Sequence, residues 1–217
     1  MELKAIIFDL DGVICSTDNY HYLAWKSLAD ELGIYFDREI NNRLRGVSRM
    51  DSLEIILERC DANYPPEVKE SFAAIKNLRY VGLLQDLTPE NVLEGMNEFL
   101  AACKENGIKT ALASASKNAP FIIHKLELED KFDFIADAAK VEKSKPAPDI
   151  FLAAAEGLGI APENCIGIED AAAGIEAIHA AGMKAVGIGS ADILGAADML
   201  VSETKELIFD KVTEFFA

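Results

Sequence analysis

The chain has 217 residues, half of them hydrophobic and 27% charged, which fits one large folded domain or a domain carrying a substantial insertion and excludes a fibre or a disordered chain. Lysine and arginine number 21 against 37 aspartates and glutamates, and the formal net charge of −16 repels phosphate backbones and anionic lipid headgroups. Nucleic acid and membrane are therefore not expected as partners. The apolar runs fall far short of the ~18 residues that span a bilayer, and Ala5-Ile6-Ile7-Phe8 is too short for a signal-peptide core, so a cytoplasmic location is expected. Cys15, Cys60, Cys103 and Cys165 are scattered without a Cys-x-x-Cys pair and read as reduced, packing thiols.

In chain order, residues 3–8 form an apolar run without polar alternation, the pattern of a strand covered on both faces, and it breaks at Gly12. From about residue 16 to 84 the texture is helical. Trp25, Leu28, Ala29 and Leu32 recur at helical spacing before Gly33; Ser48-Arg49-Met50-Asp51 resembles a capping box; Pro66 opens a further helix through Val68, Phe72, Ile75 and Arg79. A helix containing Met96, Phe99, Leu100 and Cys103 stops at Gly107. Strands are then predicted at 109–113, 134–136, 165–168 and 184–188, with helices near 120–128, 148–158 and 171–181 between them. Such alternation predicts a parallel, doubly wound α/β sheet whose ligands sit beyond the carboxyl ends of the strands. Residues 16–87 then form an all-helical insertion on the loop after the first strand, above that ligand site.

The residues that stop these strands carry the chemistry. Asp9-Leu10-Asp11-Gly12 ends the first strand with two neighbouring carboxylates, which are either turn and capping residues or like charges that need a cation or proton between them. Glu169-Asp170 ends the fourth; Asp170 is either a helix cap or a further carboxylate at the same rim. If the strands are neighbours, the converging oxygen donors suit magnesium, and magnesium implies phosphate. Ser114-Ala115-Ser116-Lys117-Asn118 offers hydroxyls and N–H groups after the second strand, with a serine-rich loop and an Asn cap as the competing reading. Ser144-Lys145-Pro146-Ala147-Pro148-Asp149 sets a lysine before two stiffening prolines. Alone it reads as solvent-facing; in so acidic a chain it can also balance the clustered carboxylates. His124 and His179 are assigned to helix faces.

In that order, with a helical cap after the first strand, these motifs resemble the haloacid dehalogenase superfamily of phosphotransferases. Within it His21, Trp25, Gly46-Val47-Ser48-Arg49, Ser52, Lys76 and the stretches at 113–118 and 144–149 are similar to its sugar-phosphate mutases, and the similarity fades after about Gly189. The resemblance implies a Rossmann-like core at residues 1–15 and 88–217 and a cap at 16–87. It implies that Asp9 is the nucleophile and Asp11 the general acid and base, with Mg2+ held by Asp9, the Asp11 carbonyl, Glu169 and Asp170. Ser114, Ala115 and Lys145 would hold the transferring phosphoryl group; Arg49, Ser116, Lys117 and Asn118 a second phosphate; and His21, Trp25, Gly46, Val47, Ser48, Ser52 and Lys76 the sugar from the cap. The implied activity is interconversion of β-D-glucose 1-phosphate and glucose 6-phosphate by a monomer acting on a small sugar phosphate, with a magnesium-dependent phosphatase as the alternative. Ser16, where many relatives carry aspartate, and Ala171 and Ala172, where they often carry polar residues, depart from the pattern.

Overall fold

The computed structural model describes residues 2–60 and 62–216. Strand β1 (Ala5–Phe8) leads into four helices, α1 (Asp18–Glu31), α2 (Arg38–Asn42), α3 (Arg49–Leu57) and α4 (Pro66–Leu83). Alternation follows: α5 (Met96–Glu105), β2 (Lys109–Leu112), α6 (Ala119–Lys125), β3 (Phe134–Ile135), α7 (Asp149–Leu158), β4 (Cys165–Glu169), α8 (Ala172–Ala180) and β5 (Lys184–Ile188). The chain closes with α9 (Ala191–Leu194), β6 (Met199–Val201) and α10 (Phe209–Phe216). The short α2 and the whole tail from α9 onward go beyond the elements predicted from sequence.

All strand pairs are parallel, in the order β3-β2-β1-β4-β5-β6. The chain winds outward on one side from β1 to β3, then returns to the other side of β1 to lay down β4, β5 and β6. The reversal between β1 and β4 is the crevice where such sheets bind ligands. Register makes the crevice definite. Phe8 lies opposite both Leu112 and Ile168, and the ladder continues through Asp9 N to Ile168 O at 2.9 Å and Ala113 N to Phe8 O at 2.7 Å. Asp9, Ser114 and Glu169-Asp170 therefore leave the sheet side by side.

Packing explains why β1 reads as an unbroken apolar run. Ile6 and Phe8 enter one core with α5, α6 and α10, whereas Ala5 and Ile7 enter the other with α7 and α8. Phe8 meets Phe99 and Phe132 edge-on at 6.0 and 6.1 Å. On the opposite face Gly167 of β4 lets α8 close in, since a Cβ there would lie 2.4 Å from Ile178 Cγ1. Helices α1 to α4 bury an apolar cluster of their own around Trp25, Leu28, Phe36, Leu53 and Ile56. They join the sheet through two adjacent chain segments. Cys15 forms an antiparallel bridge with Val92, and Leu93 N donates to Ile14 O at 2.9 Å. No helix among the described residues is long and apolar enough to cross a membrane. The four cysteines are free, and burial pushes the Cys103 and Cys165 thiols up to about 12.

Candidate active site

Between the sheet's carboxyl edge and the four-helix segment lies a cleft of about 380 Å³. It is lined from the sheet by Asp9, Asp11, Asp170 and residues 114–118, and from the helices by His21, Trp25, residues 46–49, Ser52 and Lys76. Lys145 and Glu169 lie just behind this wall, both side chains essentially without solvent contact. The site residues named from the sequence thus lie at or just behind one cleft.

The innermost group is ionic. Lys145 Nζ donates to Asp9 Oδ1 at 2.5 Å and to Glu169 Oε2 at 2.7 Å, and its ammonium stands over the Phe151 ring. The two carboxylates hold it charged, well above the ordinary lysine range, against the burial that opposes charge. Glu169 Oε1 accepts from the backbone N–H of Asp170 and Ala171 at 3.1 and 3.2 Å, which fixes the turn leading into α8. Asp170 makes no cap: Ala171 occupies that position without a side-chain bond, and the capping alternative for Asp170 falls away. Glu169 fits because position 174 is glycine, where a Cβ would fall 2.0 Å from its Oε2. Gly12, at φ +77°, likewise turns the chain where a Cβ would meet Asp170 Oδ2 at 2.0 Å.

Asp9, Glu169 and Asp170 bring carboxylate oxygens within 4.8 Å of one another. Burial and the neighbouring Glu169 and Asp9 push the Asp170 carboxyl up to about 8, and burial with Asp9 pushes Glu169 to about 7. Besides Lys145, the lysine or arginine touching this acidic group among the described residues is Arg45, whose Nη1 lies 3.5 Å from Asp170 Oδ2. Two cations against Asp9, Asp11, Glu169 and Asp170 leave a negative excess in a site of hard oxygen donors. That donor chemistry fits a divalent cation such as magnesium.

Asp11 is set up differently. Its Oδ1 accepts from Thr17 N at 3.0 Å and from Thr17 Oγ1, which also bonds Tyr80 Oη at 2.7 Å. Burial, opposed by the Thr17 bonds and assisted by Asp9, pushes the carboxyl up to about 6. Oδ2 faces His21 Nε2 at 4.0 Å, and His21 Nδ1 lies 2.8 Å from Lys76 Nζ. Burial and the Lys76 and Arg49 charges hold His21 neutral. With Lys76 donating to Nδ1, the ring proton sits on Nε2, towards Asp11. Lys76 is itself buried over the Trp25 and Tyr80 rings, and burial with the Arg49 charge lowers it to about 7.

Thr17, Tyr80 and Arg45 were not singled out from the sequence. Thr17 carries a readable signal, a hydroxyl before the acidic start of α1, but it reads as a cap, and its hydroxyl turns to Asp11 instead. Trp25 both packs the helical cluster and lines the cleft. Arg49, at the start of α3, is half-buried there rather than a surface charge. Asn118 does not cap α6; its Nδ2 donates to Asn77 Oδ1 at 2.9 Å. Ser48 does cap α3, accepting from Asp51 N at 3.2 Å. His124 and His179 pair with Glu129 and Asp198 away from the cleft.

Comparison with known proteins agrees with this geometry. Residues 3–182 match the haloacid dehalogenase-like hydrolase family model. The β-phosphoglucomutase of Bacillus subtilis (strain 168) is 45% identical over 214 residues, covering 98% of this chain and 95% of that one. A fructose-1-phosphate phosphatase of Escherichia coli (strain K12) is 30% identical, covering 84% of this chain and 95% of its own. The crystal structure of a β-phosphoglucomutase from Clostridium difficile superposes with a TM-score of 0.97 at 47% identity, covering 99% of this chain and 97% of that one. A parallel sheet with two acidic strand ends, a buried lysine between them and helices over the cleft therefore has a family: the chain belongs to the haloacid dehalogenase-like hydrolases.

Proposed function

We propose that the protein is a magnesium-dependent mutase that interconverts β-D-glucose 1-phosphate and glucose 6-phosphate through an aspartyl phosphate and a sugar bisphosphate. The observation that carries the reading is that Arg49, Ser116, Lys117 and Asn118, donors suited to a second anion, line the same cleft as Asp9 and Asp11. A phosphatase needs one phosphate site; a mutase that passes through a bisphosphate needs two. The 45% identity to the B. subtilis β-phosphoglucomutase over nearly all of both chains supports the same choice.

The Asp9 carboxylate, held in one orientation by Lys145, is the nucleophile, forming an acyl phosphate as the sugar oxygen departs. Asp9, Glu169, Asp170 and the Asp11 carbonyl would hold Mg2+, and Glu169 also braces the Asp170 backbone by accepting from its N–H. When bound, the ion neutralises charge between the carboxylate and the phosphoryl oxygens, an interaction that strengthens as charge gathers in the transition state. Ser114, the Ala115 amide and Lys145 hold those oxygens.

In the first half-reaction Asp11 takes the proton of the sugar 6-hydroxyl as that oxygen attacks the aspartyl phosphate, giving glucose 1,6-bisphosphate. The bisphosphate turns over in the cleft. The 1-phosphoryl group then passes to Asp9, and Asp11 returns its proton to the departing anomeric oxygen. With Oδ1 tied to Thr17, Oδ2 moves the proton, and a carboxyl pushed up to about 6 is suited to both directions near neutrality. Arg49 and Lys117 grip the idle phosphate and hold the four helices, the cap at residues 16–87, over the reacting groups, which excludes water.

The cleft is completed within one chain, as a monomer requires, and a doubly charged substrate stays in the compartment that makes it, here the cytoplasm. The test offers β-glucose 1-phosphate, Mg2+ and a trace of glucose 1,6-bisphosphate, following glucose 6-phosphate and free phosphate in the same tube. Glucose 6-phosphate with little free phosphate is expected. Free phosphate as the main product overturns the reading in favour of a phosphatase.

A further inference from the structure

Of the side-chain hydrogen bonds between the helical segment and the sheet side, Arg45 to Asp170 and Thr17 to Asp11 reach carboxylates of the site itself, and two more tie the helices to loops of the sheet side. One, Asn118 to Asn77, belongs to a loop already given a task. The other joins two residues the mechanism leaves unused: Ser144 Oγ donates to Asp51 Oδ2 at 2.6 Å, across 93 residues of chain. Asp51 lies two positions after Arg49 in the first turn of α3. Its Oδ2 accepts a second hydroxyl, Ser48 Oγ at 2.7 Å, while Asp51 N donates back to Ser48 Oγ at 3.2 Å. Ser144 immediately precedes Lys145, which grips Asp9 and Glu169. One carboxylate therefore ties the turn that presents Arg49 to the loop that presents Lys145.

We propose that Asp51 and Ser144 form a latch that holds the helical segment closed on the sheet, with Asp51 a positioning residue for Arg49. Latch strength sets how the aspartyl phosphate divides between a sugar hydroxyl and water. That product consequence rests on the mutase reading; the effect on ligand binding does not. The two hydroxyl bonds hold the Asp51 carboxyl below its ordinary range, so the acceptor is ionised at neutral pH and the bond is charge-assisted. Committing Asp51 to the two serines also keeps it off its neighbour Arg49, which contacts no carboxylate within 4.0 Å among the described residues and stays available for phosphate. Because the latch lies at the exposed rim, water replaces it on opening, and its loss should shift closure about five-fold rather than abolish it.

Ser144→Ala removes the latch and leaves the Ser48–Asp51 cap intact; Ser144→Thr keeps the hydroxyl. Each full-length protein is titrated with glucose 6-phosphate in Mg2+ buffer, read by the fluorescence of Trp25, the chain's one tryptophan. Each is then assayed for the ratio of free phosphate to glucose 6-phosphate made from primed β-glucose 1-phosphate. Ser144→Ala is expected to weaken binding and raise the ratio about five-fold each, with Ser144→Thr within about two-fold of the parent. Adding Ser144→Ala to Asp51→Ala should cost nothing further. Unchanged binding in Ser144→Ala, or additive losses in the double variant, overturns the latch. A parent enzyme that releases mainly free phosphate overturns the mutase reading instead, and the binding titration alone then decides the latch.

Discussion

Replacing Lys76 by methionine should make the ligand-free protein more stable and the enzyme worse, with a pH dependence that identifies the cause. Lys76 is buried in α4, with its ammonium over Trp25 and Tyr80 and 2.8 Å from His21 Nδ1, and its pKa is lowered to about 7. The fall from 10.5 to about 7 corresponds to a net penalty of about 5 kcal/mol against the charged form. Below pH 7 folded and unfolded chains both carry the proton, and the folded state bears that penalty in full. Between about pH 7 and 10.5 the unfolded chain holds a proton that the folded chain has released, so stability rises with pH. Above that window the contribution vanishes.

Methionine fills the same space without charge. At pH 6.5 Lys76→Met should melt roughly 10–20 °C above the parent, at about 2–4 °C per kcal/mol for a chain of this length, and the gap should close towards pH 10. Denaturation of both proteins, metal-free and without phosphate, at four or five pH values across that range measures it. An anionic substrate restores the charge, so the parent should take up a proton on binding glucose 6-phosphate near pH 8, seen as a buffer-dependent binding heat absent from the variant. A variant no more stable than the parent at pH 6.5, or a gap that does not change with pH, would refute the reasoning.

Gly167→Ala places a methyl 2.4 Å from Ile178 Cγ1 and should destabilise the protein by about 1–3 kcal/mol through the displacement of α8, checked by urea denaturation. Thr17→Val removes the hydroxyl bond to Asp11 Oδ1 and the link to Tyr80 while keeping the backbone N–H bond; kcat should fall about ten-fold with KM little changed, since proton transfer and not sugar binding is affected. Arg49→Ala should raise the share of turnovers ending in free phosphate at least ten-fold while leaving hydrolysis of acetyl phosphate, which has no second phosphate, nearly unaltered.

Long-range side-chain pairing separates what was legible in the sequence from what was not. Asp9 and Glu169-Asp170 could be found because each interrupts an apolar run at a strand end, and parallel winding brings strand ends to one rim. Lys145 could be suspected from charge balance alone, and the structure gives it two carboxylates. Thr17 and Tyr80 meet across 63 residues of chain, and Asp51 and Ser144 across 93; no local pattern announces either pair. The strand β6 has three residues and α2 five, too few for a period to emerge. Asp170 was ambiguous because an acidic residue before a helix is as good a cap as a ligand; it is resolved by Ala171 taking the cap position and by Glu169 Oε1 accepting from the N–H groups of Asp170 and Ala171.

The paired neck at Cys15 and Val92 restricts how the four helices can travel. Two chain segments bonded side by side resist being pulled apart or slid past each other, but they twist and bend together as a single ribbon. Opening is then a swing about one axis, which returns Arg49, Asp51 and Lys76 to the same positions each time. An arm fixed at one short stem can be reshaped while Asp9 and Asp170 keep their places, because adjacent strands and Lys145 on the sheet side hold Asp9, and Arg45 is the arm's contact to replace at Asp170.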